Sequence, residues 1–197
     1  MINAKKYKSE RRGRKDETRK IQPVKTGAIT LFITLTCIAI TMVSATAQVK
    51  SKTFNFVLKT MLSGDVPTIT VADAAKTTRE YVFLDAREEE EYGVSHLPNA
   101  KFVGYKNFDL SHVKNIPKEK PIVVYCAIGK RSEDITEKLT KAGYKNVKNL
   151  YGGIFEWVNQ DHEVYDNQNR KTLNVHAYNR LWGRFLDKGN KVYQVTC

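Results

Sequence analysis

The chain has 197 residues, with 33 Lys and Arg against 21 Asp and Glu, and a formal net charge of +12. This length suits one domain with flanking segments, and a hydrophobic content of 41% excludes wholesale disorder. The three cysteines, Cys37, Cys126 and Cys197, are too few and too scattered for a disulfide-framed mini-protein or a zinc cluster.

Residues 1–26 are predicted to be a basic leader on the cytoplasmic side of a membrane. They carry ten basic and three acidic side chains, and so supply +7 of the net charge. Because this charge lies on a leader and not on a folded groove, we predict that the protein does not bind nucleic acid.

An uncharged run of 24 residues, from Thr26 to Val49, follows the basic leader. It is long enough to cross a bilayer, and it ends in Ala45-Thr46-Ala47, the small-x-small form of a signal-peptidase site. Two interpretations of residues 27–47 stay open: a cleaved signal peptide, or an uncleaved anchor that makes the membrane a partner. Both predict an exported protein, in the periplasm or on the outer side of the cell membrane.

Residues 48–65 are predicted to be an amphipathic helical linker, because apolar residues recur there at helical spacing. Residues 66–158 alternate short strands with helices, which predicts an α/β fold with a mainly parallel central sheet and helices on both faces. The strands are predicted at 68–71, 81–85, 101–103, 121–125 and 146–150. The helices are predicted at 73–76, 88–92, 132–142 and 154–158. In the acidic helix, Glu88–Glu91 are predicted to form a solvated face.

Residues 159–197 are predicted to be a C-terminal extension with an aromatic helix. Its apolar residues recur at i, i+3, i+4 and i+7, and they are Tyr178, Leu181, Trp182 and Phe185. We predict that this face packs on the domain. Cys197 is interpreted as a passive tail residue, and the alternative is a resolving thiol for Cys126.

The chemistry-bearing segment lies where a buried strand ends at Cys126 and a helix begins near Ser132. The thiolate is the reactive form of cysteine, and helix N-termini and neighbouring cations stabilise it. The backbone N–H groups of such a loop form an anion nest, and Gly129 permits the necessary backbone shape. Lys130 and Arg131 add positive charge for an anionic substrate. The segment therefore predicts a nucleophilic cysteine beside an anion-binding loop.

Residues Cys126 to Ser132 resemble the C-x-x-G-x-R-S active-site loop of rhodanese-family sulfurtransferases. Three further segments resemble motifs of that family and follow the same order along the chain. They are Leu84-Asp85-Ala86-Arg87, His96-Leu97-Pro98-Asn99-Ala100 and Leu150-Tyr151-Gly152-Gly153-Ile154. The resemblance covers residues 66–158 and implies a rhodanese-like fold.

The sequence carries no metal cluster, P-loop or dinucleotide fingerprint, so we predict no cofactor and no metal. The resemblance also implies a persulfide relay. In that relay Cys126 takes sulfur from a donor such as thiosulfate and passes it to cyanide, a thiol or a protein acceptor. The loop that would hold the persulfide consists of Ala127, Ile128, Gly129, Lys130, Arg131 and Ser132. Asp85 and Arg87 would support this loop, and a structural ion pair far from substrate is their alternative interpretation.

Two departures bear on this prediction. Ala127 stands where many family members have arginine, so one cation is missing from the rim. Four residues separate Cys126 from Arg131, one fewer than in the C-x5-R loop of phosphatases, which argues against phosphate chemistry. The main competing prediction is a non-catalytic or dedicated persulfide-carrier module at the cell envelope.

Overall fold

The structure, a computed structural model, describes residues 49–194. The predicted leader at 1–26, the predicted signal or anchor segment at 27–47 and Cys197 lie outside the described residues. Between residues 49 and 194, no helix is long and apolar enough to span a bilayer.

The elements of the described range follow the predicted alternation of strands and helices. The α-helices are α1 Lys52–Met61, α2 Val71–Lys76, α3 Glu89–Val94, α4 Lys130–Lys141 and α5 Gly153–Asn159. The strands are β1 Thr68–Ile69, β2 Val82–Asp85, β3 Lys101–Phe102, β4 Ile122–Tyr125, β5 Val147–Leu150, β6 Val164–Tyr165, β7 Lys171–Thr172, β8 Asn174–His176 and β9 Asn190–Val192. Short 3-10 helices lie at Leu110–Val113 and Gly183–Phe185. The five strands predicted within 66–158 form, each one or two residues shorter than predicted.

Strands β1 to β5 form one sheet in the order β1-β5-β4-β2-β3, and every neighbouring pair is parallel. The central strand β4 is buried on both faces. Ile122 and Val124 pack into one apolar cluster with α4, whereas Val123 and Tyr125 pack into another with α1, α2 and α5. Burial on both faces requires an apolar side chain at every position, which explains the continuous apolar run. The predicted α/β class, with a parallel sheet covered on both faces, is confirmed.

The segment before the sheet, residues 49–62, is called here the N-terminal flank. Ser51 caps α1, because its Oγ accepts the N–H of Phe54 at 3.3 Å. The helix buries Phe54 and Leu58 against the first apolar cluster. Val49 is fully buried, and the N–H of Lys50 donates to Glu156 Oε1 at 2.8 Å. The N-terminal flank is therefore packed on the domain along its length.

The segment after the sheet, residues 161–194, is called here the C-terminal flank. It contains a two-stranded antiparallel sheet of β6 and β7 and a two-stranded parallel sheet of β8 and β9. Asn159 ties this flank to the end of α5. Its Nδ2 donates to Phe185 O at 2.8 Å, and its Oδ1 accepts the N–H of Asp187 at 2.7 Å.

The aromatic α-helix predicted in the extension 159–197 is wrong. Around those residues the chain forms β8, a turn and a three-residue 3-10 helix. Tyr178 has φ +60°, in the left-handed region, and Asn179 Oδ1 accepts the N–H of Trp182 at 3.0 Å. Such a side-chain acceptor competes with helical hydrogen bonds. Trp182 packs partly on the core, but Tyr178 remains 48% exposed.

Candidate active site

Cys126 directly follows β4, at the carboxyl end of the central strand, and is 1% exposed. We call residues 126–132 the cysteine loop. Helix α4 begins within it, and the N–H of its N-cap, Gly129, donates to Cys126 Sγ at 3.1 Å. First-turn N–H groups of a helix have no intrahelical acceptor, and the helix dipole is positive at that end. The positive end of α4 therefore faces the cysteine sulfur.

The backbone of Gly129 has φ +114°, a conformation that side chains with a Cβ rarely adopt. A Cβ built there would lie 3.4 Å from the carbonyl oxygen of Leu150. The positive φ, and not a lack of space beside β5, therefore accounts for glycine at this position.

Asn149 ties the middle of the cysteine loop to its last residue. This buried residue of β5 donates from Nδ2 to Gly129 O at 2.8 Å and accepts at Oδ1 from Ser132 Oγ at 2.7 Å. Asn149 is not among the site residues predicted from the sequence. The available signal was an asparagine in a buried strand, because buried amides are nearly always hydrogen-bonded.

The N-terminus of α5 supports the cysteine loop from the opposite side. Ile154 N–H donates to Cys126 O at 2.9 Å, and Phe155 N–H donates to Ala127 O at 3.1 Å. A Cβ on Gly153 would lie 2.3 Å from Cys126 O, so this approach requires glycine. Backbone hydrogen bonds therefore fix the first two residues of the loop.

Arg131 of the cysteine loop forms a bidentate ion pair with Glu91 of α3. Its Nη1 lies 2.6 Å from Glu91 Oε2, and its Nη2 lies 2.8 Å from Glu91 Oε1. Glu91 is buried and also accepts the N–H of Glu88 at 3.0 Å. The predicted solvated face is therefore wrong at Glu91, because a partner forty residues further along the chain buries it, whereas Glu89 and Glu90 are exposed.

The opposite charges of Glu91 and Arg131 favour the ionised form of each other. Burial alone would raise the pKa of Glu91, but the hydrogen bonds and charge of Arg131 hold that pKa below its usual value. Burial likewise opposes the charged form of Arg131, yet Glu91 and the charge of Cys126 raise the pKa of Arg131. The pair is therefore ionised at neutral pH.

The C-terminal flank contacts the same ion pair. His176 Nδ1 lies 4.0 Å from Glu91 Oε1, and the Tyr178 ring centroid lies 5.0 Å from the Cζ of Arg131. The N–H of Tyr178 donates to His176 Nδ1 at 3.2 Å. Glu91 and Arg131 thus connect the cysteine loop to residues outside the sheet domain.

Lys130 also has carboxylate partners. Its Nζ lies 2.9 Å from Glu133 Oε2 and 3.6 Å from Asp134 Oδ1. Glu133 additionally accepts the hydroxyl of Ser63 at 2.9 Å, which fastens the chain after α1 to α4.

Asp85 and Arg87 form a fully buried ion pair at the end of β2. Arg87 Nη2 lies 2.6 Å from Asp85 Oδ2 and also donates to Ser95 O at 2.6 Å. Backbone N–H groups of the chain after β3, at Val103 and Gly104, donate to Asp85 O. The two side chains tie the end of β2 to the chain after α3 and do not line the cavity over Cys126.

Cys126 opens onto a cavity of about 160 Å³. The predicted site residues that line it are Cys126, Ala127, Ile128, Lys130 and Arg131. The other two predicted loop residues, Gly129 and Ser132, do not line the cavity, and both are hydrogen-bonded to Asn149. The remaining lining residues, Met61, Tyr178 and Trp182, come from outside the predicted site.

Part of this chain is similar in sequence to known proteins. The family profile described as rhodanese-like domain matches residues 68–160. A thiosulfate sulfurtransferase GlpE of Coxiella burnetii is 32% identical over 79 residues, which cover 40% of this chain and 73% of that protein. An adenylyltransferase and sulfurtransferase UBA4 of Meyerozyma guilliermondii is 32% identical over 88 residues, covering 41% of this chain and 21% of that protein. The solved rhodanese-like domain of an Anabaena protein is 18% identical with a TM-score of 0.49, covering 66% of this chain and 92% of that domain.

Proposed function

The chain belongs to the rhodanese-like domain family, and from this premise we propose that it is a sulfurtransferase in which Cys126 carries sulfur as a persulfide. One observation carries the proposal. Cys126 Sγ accepts the N–H of Gly129 at 3.1 Å at the N-terminus of α4, and it opens onto a cavity that admits a small molecule.

In the first step the Cys126 thiolate attacks the outer sulfur of a donor such as thiosulfate. A bond forms between Sγ and that sulfur, the S–S bond of the donor breaks, and its electron pair leaves with sulfite. The product is the persulfide anion on Cys126. Backbone N–H groups at the start of α4 stabilise this anion, and they need little reorganisation because Asn149 and α5 already hold the loop.

In the second step a thiophilic acceptor, cyanide or a thiol, attacks the terminal sulfur of the persulfide. The electron pair of the breaking S–S bond returns to Cys126, and the acceptor leaves as thiocyanate or as a new persulfide. Both steps are displacements at sulfur, so neither needs an external oxidant or reductant. The scheme is ping-pong covalent catalysis.

Arg131 supports this chemistry as a positive charge close to the sulfur. The bidentate pair with Glu91 fixes the guanidinium, so its position does not depend on the substrate. Lys130 also lines the cavity, and its charge is shared with Glu133, whose Oε2 lies 2.9 Å from its Nζ.

Mass spectrometry of the purified protein after treatment with thiosulfate tests the proposal. We expect the wild type to gain one sulfur atom and to lose it on addition of cyanide. Cys126→Ser removes the nucleophile and abolishes the gain, whereas Cys197→Ser, which removes a different thiol, retains it. A folded wild type that gains no sulfur, or a Cys126→Ser variant that still gains one, would contradict the proposal.

Export of the protein is also proposed, supported by the uncharged run Thr26–Val49 behind a basic leader. N-terminal sequencing of the protein purified from a cell-envelope fraction distinguishes a cleaved segment, which would begin near Gln48, from an intact anchor. Recovery of the protein only from the cytoplasmic fraction would contradict export.

A further inference from the structure

Two segments outside the matched residues 68–160 close the cavity over Cys126. Met61 stands at the end of α1, and Tyr178 and Trp182 belong to the C-terminal flank. We call these three side chains the apolar wall. With Ala127 and Ile128 of the cysteine loop, they surround the sulfur with apolar and aromatic surface.

The apolar wall is held in place by packing. Trp182 lies 6.1 Å from Phe185, ring centroid to centroid, and Phe185 stacks on Phe54 of α1 at 4.9 Å. Tyr178 lies over Arg131. The N-terminal and C-terminal flanks therefore contact each other beside the cavity and form a fixed surface.

The charged lining residues in the described range are Lys130 and Arg131, and each already has a carboxylate partner. Arg131 is paired with Glu91, and Lys130 with Glu133. A dianion that enters the cavity loses hydration, and cations that already have carboxylate partners offset less of this cost than unpaired cations would. The electrostatics therefore favour a donor with less charge than thiosulfate.

The size of the cavity indicates what else the donor carries. An apolar cavity of about 150 Å³ binds a benzene-sized molecule. The cavity here has about 160 Å³. One small apolar group, up to a single aromatic ring, matches that space beside the apolar wall.

We propose that Met61, Tyr178 and Trp182 select donors whose sulfane sulfur is carried by a small apolar organic group, in preference to thiosulfate. This inference rests on the proposed sulfurtransferase function. With an organic thiosulfonate, Cys126 Sγ bonds to the terminal sulfur, the S–S bond to the sulfonyl group breaks, and the electron pair leaves with the organic sulfinate. This donor carries one negative charge, and its organic group lies against the apolar wall.

The test compares kcat/KM for benzenethiosulfonate and for thiosulfate, with cyanide as acceptor and thiocyanate as the product measured for both. We expect Trp182→Ala to lower the ratio of the two values about tenfold relative to the wild type, roughly the effect of losing one aromatic contact. Comparing ratios between proteins removes the intrinsic reactivity of each donor. The control is Leu181→Ala, an exposed neighbour that does not line the cavity, and it keeps the ratio within about twofold of the wild type.

Met61→Ser provides an independent variant, because Met61 belongs to a different segment and is partly exposed. We expect it to lower the same ratio. An unchanged ratio in folded Trp182→Ala and Met61→Ser proteins would overturn the inference. Failure of the proposed function looks different, since neither donor would then yield thiocyanate with the wild type.

Discussion

The cysteine loop and the two flanks surround the same sulfur atom but are built by different physical means. The loop is held by backbone conformation and short polar contacts, such as the positive φ of Gly129 and the two hydrogen bonds of Asn149. The flanks are held by aromatic packing, such as the stack of Phe54 on Phe185. Under the proposed function, reactivity and donor choice depend on separate parts of the chain, so a substitution is expected to affect one more than the other.

Glu91 contacts both the cysteine loop and the C-terminal flank, so these two regions are not fully independent. It is the carboxylate partner of Arg131 in the cysteine loop, and it faces His176 of the C-terminal flank. Substitutions at Glu91, in the loop and in the flank therefore measure how far the two regions are independent.

The largest effect is expected from Glu91→Gln, which leaves Arg131 mostly buried without its counter-charge. Breaking a buried pair by removing one partner costs about 3 kcal/mol in the free energy of unfolding. Urea unfolding measures this loss, and the exposed neighbour Glu90→Gln is the matched control, expected within about 0.5 kcal/mol of the wild type. An equal, small loss in both variants would contradict a stabilising role for the buried pair of Glu91 and Arg131.

The same variant has a predicted pH dependence. Because the pKa of Glu91 is lower folded than unfolded, its carboxylate contributes stability above the unfolded-state pKa of about 4.3. That contribution is lost as the pH falls through the folded-state pKa. The stability difference between wild type and Glu91→Gln should therefore shrink at acidic pH.

Gly129→Ala sharpens the comparison, because it changes the cysteine loop alone. Alanine at φ +114° is strained, so we expect a loss of about 1–2 kcal/mol in stability and a fall in kcat/KM of about a hundredfold from misplacement of Cys126. Gly143→Ala is the matched control, since Gly143 has φ +87° with nothing within 4 Å of the added Cβ. It should lose stability but keep activity. Equal kcat/KM in both variants would contradict the prediction that the backbone conformation of Gly129 places Cys126 for catalysis.

The smallest effect is expected from His176→Asn in the C-terminal flank. Burial lowers the pKa of His176 despite the attraction of Glu91, so the unfolded chain takes up this proton first as the pH falls. Protonation of Nδ1 also removes the acceptor for the Tyr178 N–H, a bond that contributes about 1 kcal/mol. Between about pH 7.5 and pH 5.5, wild-type stability should fall more steeply than that of His176→Asn, measured by thermal unfolding. Parallel slopes would contradict this role.

The sequence predicts those parts of the molecule whose structure depends on local pattern. The run Ile122–Tyr125 is apolar at every position because both faces of β4 are buried. The position of this strand inside the sheet could therefore be predicted from the sequence. The cysteine loop could likewise be predicted, because its cysteine, glycine and cations lie within seven residues of each other, at the start of a helix.

The missed features depend on contacts between residues distant in the chain. Glu91 has the same acidic neighbours as a solvated helix face, and only Arg131 distinguishes it. Trp182 has helical spacing from its apolar neighbours, but the pairing of β8 with β9 determines the path of the chain around it. The spacing of apolar residues along the chain gives no information on either contact, Glu91 with Arg131 or β8 with β9. The sequence pattern alone therefore could not predict the apolar wall.

The stack of Phe54 on Phe185 has a consequence for the order of assembly during synthesis. The two rings are separated by more than a hundred residues of chain, so this contact closes a very long loop. Chains are made from the N-terminus, and contacts of large sequence separation form late. A nascent chain that stops short of Phe185 therefore already contains Cys126 and its loop, whereas α1 still lacks its aromatic partner. Under the proposed function, such a chain would carry the Cys126 thiol before the apolar wall that selects its sulfur donor had formed.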